Sequence, residues 1–115
     1  YKTFREMPWG ELYITPYTGR CLTRAAFTFG TQVANFAAAC QRMGGEKLSH
    51  GDAGYGFGFL GGYRMQIMIY AGDEEFPPSS QILYSDNFAS GFSAEDRVVA
   101  GDILISAIRQ EMKRK

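Results

Sequence analysis

The segment from Gly54 to Tyr70 constrains the fold most. Tyr55, Phe57 and Phe59 alternate with Gly54, Gly56 and Gly58, and past Gly61-Gly62 the chain runs on as Tyr63-Arg64-Met65-Gln66-Ile67-Met68-Ile69-Tyr70. Such period-two patterning on both sides of a glycine pair signals a β-hairpin. With Gly61 and Gly62 as the whole turn, Leu60 pairs with Tyr63. Gly56 and Gly58 then share a face with Met65 and Ile67, and Tyr55, Phe57 and Phe59 share the other with Arg64, Gln66 and Met68. The glycine face is expected to take a closely packed helix. The aromatic face is expected either as a second core face or as a platform where rings and the Arg64 guanidinium stack on a planar ligand.

Flanking patterns supply the rest. Pro8 to Gly10 reads as a turn and Glu11-Leu12-Tyr13-Ile14-Thr15 as a strand ended by Pro16 and Gly19. Arg20 to Phe29 reads as a short helix. Thr31 then caps a clearer one, with Val33, Phe36, Ala37 and Cys40 at helical spacing and Gly44-Gly45 as its stop. Gln81 to Tyr84 is a short apolar strand broken by Ser85-Asp86-Asn87. Ser93 caps the last helix, Glu95 and Asp96 load its first turn, and Val99, Ile103, Ala107, Leu104 and Ile108 are its expected buried stripe. The expectation is an α+β fold, with an antiparallel sheet of about four strands and two main helices packed on one face.

At 115 residues and 45% hydrophobic, the chain is long enough to bury a core as a single domain, 1–115, without metal or disulfide staples. It opens at Tyr1 directly on patterned sequence, as expected of a domain lacking part of its natural N-terminal region. Twelve basic and twelve acidic residues balance to a net charge of zero, which argues against the basic footprint that nucleic acid or an anionic membrane requires. Cys21 and Cys40 lie in helix-like sequence with neither metal-ligand spacing nor a nearby histidine, so they read as small buried apolar residues, with a disulfide between neighbouring helices as the alternative. Without a signal peptide or a run of roughly 20 apolar residues, the expected compartment is the cytoplasm.

Chemistry concentrates in Gly72-Asp73-Glu74-Glu75-Phe76-Pro77-Pro78-Ser79-Ser80. Three adjacent carboxylates repel one another unless water, donors or a cation offset the repulsion. Asp73 or Glu75 could accept backbone N–H bonds within the turn while Phe76 plugs the core and Pro77-Pro78 fixes the exit. Alternatively Asp73, Glu74, Glu75 and Asp86 could hold a hard cation, although the spacing is not that of a calcium loop. His50, in Ser49-His50-Gly51-Asp52, has an acid nearby but no marked nucleophile. The Gly51 to Gly62 stretch lacks the ending of a phosphate loop. Candidate ligand-binding residues are therefore Asp73, Glu74, Glu75, Arg64, Tyr55, Phe57 and Phe59, with no catalytic or metal-ligating residue assigned and the cofactor unknown.

Taken in order, Phe4-Arg5-Glu6-Met7-Pro8, Gly44-Gly45 with Gly51-Asp52, Tyr70 to Pro77 with Ser79, Ile82-Leu83-Tyr84-Ser85-Asp86 and Ala94-Glu95-Asp96 resemble an uncharacterised prokaryotic family known only as a domain of unknown function, found largely in anaerobes. The acidic turn is the specific element. Family members look longer at the N-terminus, and some are fused to a four-cysteine iron–sulfur module that this chain lacks. The resemblance implies a fold and a setting in anaerobic one-carbon or tetrapyrrole metabolism, with no established reaction. Together with the aromatic, arginine-bearing hairpin face, it leads to the expectation of a non-catalytic binding or accessory module serving corrinoid, tetrapyrrole or iron–sulfur proteins. The alternatives are a small metal-assisted enzyme built on the acidic turn and His50, or an oligomerisation module forming homo-oligomers.

Overall fold

Five strands form one antiparallel sheet in a computed structural model that describes residues 1–114. They are β1 (Lys2–Thr3), β2 (Glu46–Leu48), β3 (Ala53–Phe59), β4 (Tyr63–Tyr70) and β5 (Ser79–Tyr84), in the order β1-β5-β4-β3-β2. Helix α1 (Gly10–Tyr17) continues through a π-helical stretch (Thr18–Thr23) into α2 (Arg24–Phe29), followed by α3 (Val33–Arg42), the single turn α4 (Phe88–Gly91) and α5 (Ala94–Met112). The class is α+β as expected, with a fifth strand and a further long helix.

That further helix is where a strand was expected. Glu11 to Thr15 is helical, and neither Pro16 nor Gly19 stops it. Ile14, Tyr17, Cys21, Ala25 and Phe29 recur every three or four residues, and their burial outweighs a five-residue alternation. Pro16 removes the N–H that would reach the Leu12 carbonyl, and the helix widens into its π stretch within two residues. At the start, Trp9 takes a left-handed φ of 66°. Gly10 then passes so close to the Phe4 carbonyl that a Cβ would lie 2.2 Å from it.

The hairpin forms one residue out of the expected register. Leu60, Gly61 and Gly62 all lie in the turn, with φ of 41° at Leu60 and 61° at Gly61, and Phe59 pairs with Tyr63. A slip of one exchanges every side-chain face. Tyr55, Phe57 and Phe59 therefore stand with Met65 and Ile67, and Gly56 and Gly58 stand with Arg64 and Gln66. The helices cover the aromatic face, correcting the expectation that they would lie on the glycine face. Phe36 meets Tyr55 edge-on at 6.1 Å, and Phe59 and Tyr63 join Phe88 and Phe92 in an aromatic cluster.

The α1–α2 helix runs alongside α5 in the same direction, since Tyr13 meets Glu95, Arg20 meets Asp102 and Arg24 meets Ser106. The two helices touch closely at Gly101, where a Cβ would lie 3.0 Å from Cys21 Sγ. Helix α5 starts as expected, with Ser93 Oγ accepting from the Asp96 N–H at 3.1 Å and Asp96 Oδ2 from the Ser93 N–H at 3.3 Å. Its buried stripe is Val98, Gly101, Leu104, Ile105 and Ile108, with Arg97; Val99 and Ile103 are 46% and 50% exposed and Ala107 is exposed, contrary to expectation. Helix α3 buries Phe36, Ala39 and Cys40 and ends with Gly44 at a φ of 80°, as expected, while Gln32 takes the N-cap position assigned to Thr31.

Candidate functional site

The acidic turn is locally built and faces outward. Asp73 Oδ1 accepts the backbone N–H groups of Glu75 and Phe76, each at 2.8 Å, and the Asp73 N–H donates to the Phe76 carbonyl at 2.8 Å. These bonds satisfy the first carboxylate, while Glu74 and Glu75 stay exposed to water that screens their repulsion. Phe76 is 67% exposed rather than plugging the core. Pro78 anchors the loop instead, packing on Gly30 just past α2. Across the sheet end, Asp52 Oδ2 accepts the Ala71 N–H at 2.7 Å and ties the β2–β3 connection to the start of the acidic loop.

The sequence-derived candidates therefore do not form one site. Tyr55 is buried, Phe57 and Phe59 are partly buried on the helix-covered face, and the Tyr55 hydroxyl accepts from Gln41 Nε2 at 3.0 Å. Arg64 lies on the opposite face over Gly56 and Gly58, 3.5 Å from Glu46. His50 is exposed, and among the described residues no three His, Cys, Asp or Glu side chains gather in a way that could hold a metal ion. Cys21 and Cys40 are free and buried. Burial raises their thiols to about 11 and about 12.

A groove missed in the sequence runs between β5 and the α1–α2 helix. β1 covers β5 only at Tyr84 and Leu83, so beyond them Ser79, Ser80, Gln81 and Ile82 are paired with β4 alone. The Ser85 N–H donates to the Arg64 carbonyl at 2.9 Å. This bond fixes the phase of the ladder: Leu83, Gln81 and Ser79 turn their backbone groups to β4, and Ile82 and Ser80 turn theirs away from it, to an edge that carries no further strand, although Ile82 is fully buried and the Ser80 hydroxyl donates to the Leu22 carbonyl at 2.6 Å. There the Ile82 N–H is met by Oε1 of neighbouring Gln81 at 3.1 Å.

Three hollows line up along this edge. The first, about 350 Å³, lies between Arg5, Ile14, Leu22 and Gln81. Leu22 separates it from a second of about 170 Å³, walled by Ala26, Phe27 and Ser80. Pro78 lies between the second and a third of about 370 Å³, bordered by Gly30, Thr31 and the acidic turn. Phe27, 56% exposed, and Phe76 stand beside the row. The signal for the open edge was the polar start of the strand, Ser79-Ser80-Gln81, typical of edges that must avoid indiscriminate pairing. A separate cleft of about 310 Å³, under the exposed Trp9 and Leu12, sits where α1 meets α5. There Glu95 accepts from the Tyr13 hydroxyl at 3.0 Å and raises the phenol's pKa.

Residues 1–107 match the family described as "Domain of unknown function (DUF3786)". The chain belongs to that family. No curated protein and no solved structure matches it. The matched span takes in the whole sheet, the acidic turn and most of α5. No helix among the described residues is long and apolar enough to cross a membrane.

Proposed function

We propose that this DUF3786 domain is a non-catalytic binding module that recognises another protein through the groove beside β5. The row of three hollows from Arg5 to the acidic turn carries the proposal, because it sets exposed apolar side chains beside strand residues that pair with another strand on one side only. Asp73 is engaged in holding its own turn, and Glu74 and Glu75 border the groove's end, where they would select rather than react. The family resemblance makes proteins that carry corrinoid, tetrapyrrole or iron–sulfur groups in anaerobic metabolism the first partners to try, with cytoplasmic residence as the matching expectation.

A photo-crosslinking residue placed at Thr23, in the groove, is compared with one at Lys47, on the opposite sheet edge. A discrete partner adduct formed from Thr23 and not from Lys47 is expected in the native host. Equal labelling from both positions, or none, would overturn the proposal. Absorbance titration with cobalamin, haem and flavin checks for direct ligand binding; a spectral change with any of the three would replace the partner-protein reading.

A further inference from the structure

The β5 edge also indicates what form its occupant takes. We infer that the groove accepts an extended peptide segment of the partner protein as an added strand antiparallel to β5, with cationic residues at the segment's C-terminal end. This rests on the binding-module reading above and adds to it the conformation, direction and charge of the ligand.

Continuity with β1 supplies the first support. β1 already runs antiparallel along this edge, at Lys2 opposite Tyr84 and Thr3 opposite Leu83. The chain then turns away, with the Glu6 N–H on the Thr3 carbonyl at 3.2 Å and the Met7 N–H on the Phe4 carbonyl at 3.3 Å, and Phe4 enters the core to stack on Tyr17. Beside Ser80 and Ile82 no further strand pairs with β5, but Ile82 is fully covered in the free protein, so an incoming backbone takes this place only as the Gln81 side chain swings out.

Gln81 supplies the second. Its Oε1 meets the outward Ile82 N–H, the group an incoming strand carbonyl would take. Side-chain capping of an edge donor satisfies it in the free protein and yields to a backbone acceptor when one arrives.

Charge and shape supply the rest. An antiparallel segment ends beside Ser79, next to the hollow that Asp73, Glu74 and Glu75 border, while Arg5 stands at the other end. Lysine or arginine at the segment's C-terminal end is favoured there and an acid is repelled. Alternate side chains of the segment point toward Leu22, Ala26 and Phe27. Pro77-Pro78 prevents the edge from lengthening past Ser79, which limits the site to a short strand.

Three synthetic peptides with one alternating valine–threonine body test the inference on the full chain: one with two lysines at the C-terminus, one with them at the N-terminus, one with two glutamates at the C-terminus. The C-terminal-lysine peptide is expected to bind most tightly and to slow hydrogen exchange at the Ser80 and Ile82 amides. Gln81→Ala, which frees the Ile82 donor, should tighten it roughly two- to fivefold. Glu74→Gln with Glu75→Gln should weaken it roughly three- to tenfold. Binding without slowed exchange at these amides, indifference to lysine position, or no binding by any peptide overturns strand addition. So does light scattering that shows the edge closed by a second copy of the chain. The Thr23 crosslink survives all but the last of these outcomes if the groove binds its partner in another way, so failure of strand addition is separable from failure of the binding-module reading.

Discussion

Nη2 of Arg97 donates to the Pro8 carbonyl over 2.6 Å while Nη1 donates to the Phe92 carbonyl at 3.2 Å. One buried guanidinium thus joins the turn before α1 to the turn before α5, lying 5.2 Å from the Phe4 ring centre. Burial lowers its pKa, and the Tyr84 and Tyr17 phenols oppose that shift. Arg97→Ala strands both carbonyls and opens a void. The expected loss is about 2–4 kcal/mol, read from the denaturant midpoint at unchanged slope. A loss under about 1 kcal/mol would mean that other donors reach those carbonyls.

Two glycines should respond in opposite directions to alanine. At Gly101 the added Cβ meets Cys21 Sγ at 3.0 Å and Tyr84 Oη at 3.2 Å, where two helices and a strand converge. Gly101→Ala is expected to cost about 1–3 kcal/mol. At Gly58 the nearest atom is Arg64 Nη1 at 3.7 Å, so Gly58→Ala fits without strain. By restricting the unfolded chain it should gain about 0.4–1 kcal/mol. Paired thermal melts of the two variants check both signs.

Alkali should weaken the fold. Burial pushes the Cys21 and Cys40 thiols up to about 11 and about 12 from the ordinary 9.0, and it raises the Tyr17 and Tyr84 phenols as well. Groups whose folded pKa exceeds the unfolded value stabilise fully below the unfolded pKa and lose that contribution as pH rises toward the folded one. Stability is therefore expected to hold at neutral pH and fall between about pH 9 and pH 12. Reaction of either thiol with a disulfide reagent at pH 8 should proceed at the rate of global or local opening; prompt stoichiometric reaction would contradict their burial.

Within the acidic turn, the three carboxylates should behave differently. Asp73→Ala removes the acceptor of two backbone N–H groups, and should cost about 0.5–1 kcal/mol and loosen exchange at Glu75 and Phe76. Glu74→Gln and Glu75→Gln should leave stability within about 0.5 kcal/mol of the parent. Equal effects at all three positions would show that repulsion, not turn geometry, dominates there.

Local signals with one interpretation were legible in the sequence. Ser93 with Asp96 gave the start of α5, Gly44 the end of α3, and the glycine–aromatic alternation gave β3 and β4. Signals that a single residue could shift were not. The choice between Gly61-Gly62 and Leu60-Gly61-Gly62 as the turn decided which face Arg64 joined, and with it the supposed stacking platform. Along α5, apolar residues adjoin at Val98-Val99 and at Ile103-Leu104-Ile105, so the stripe could be drawn on either side; Gly101 lies in the buried one because Cys21 approaches it. In α1, Pro16 read as a terminator, although the Ile14, Tyr17, Cys21, Ala25 and Phe29 series continued past it. The groove depends on where β1 leaves the sheet, a tertiary event with only the polar residues of Ser79 to Gln81 as its trace.

Because the helices clothe only one side of the sheet, neighbouring positions along β4 are under unequal constraint. Substitutions at Arg64 and Gln66 should pass with little effect, while changes at Met65 and Ile67, both fully buried, should not. A saturation scan of this strand would show alternating bands of tolerance and intolerance that merge at Met68, which is only 4% exposed although it stands on the uncovered side.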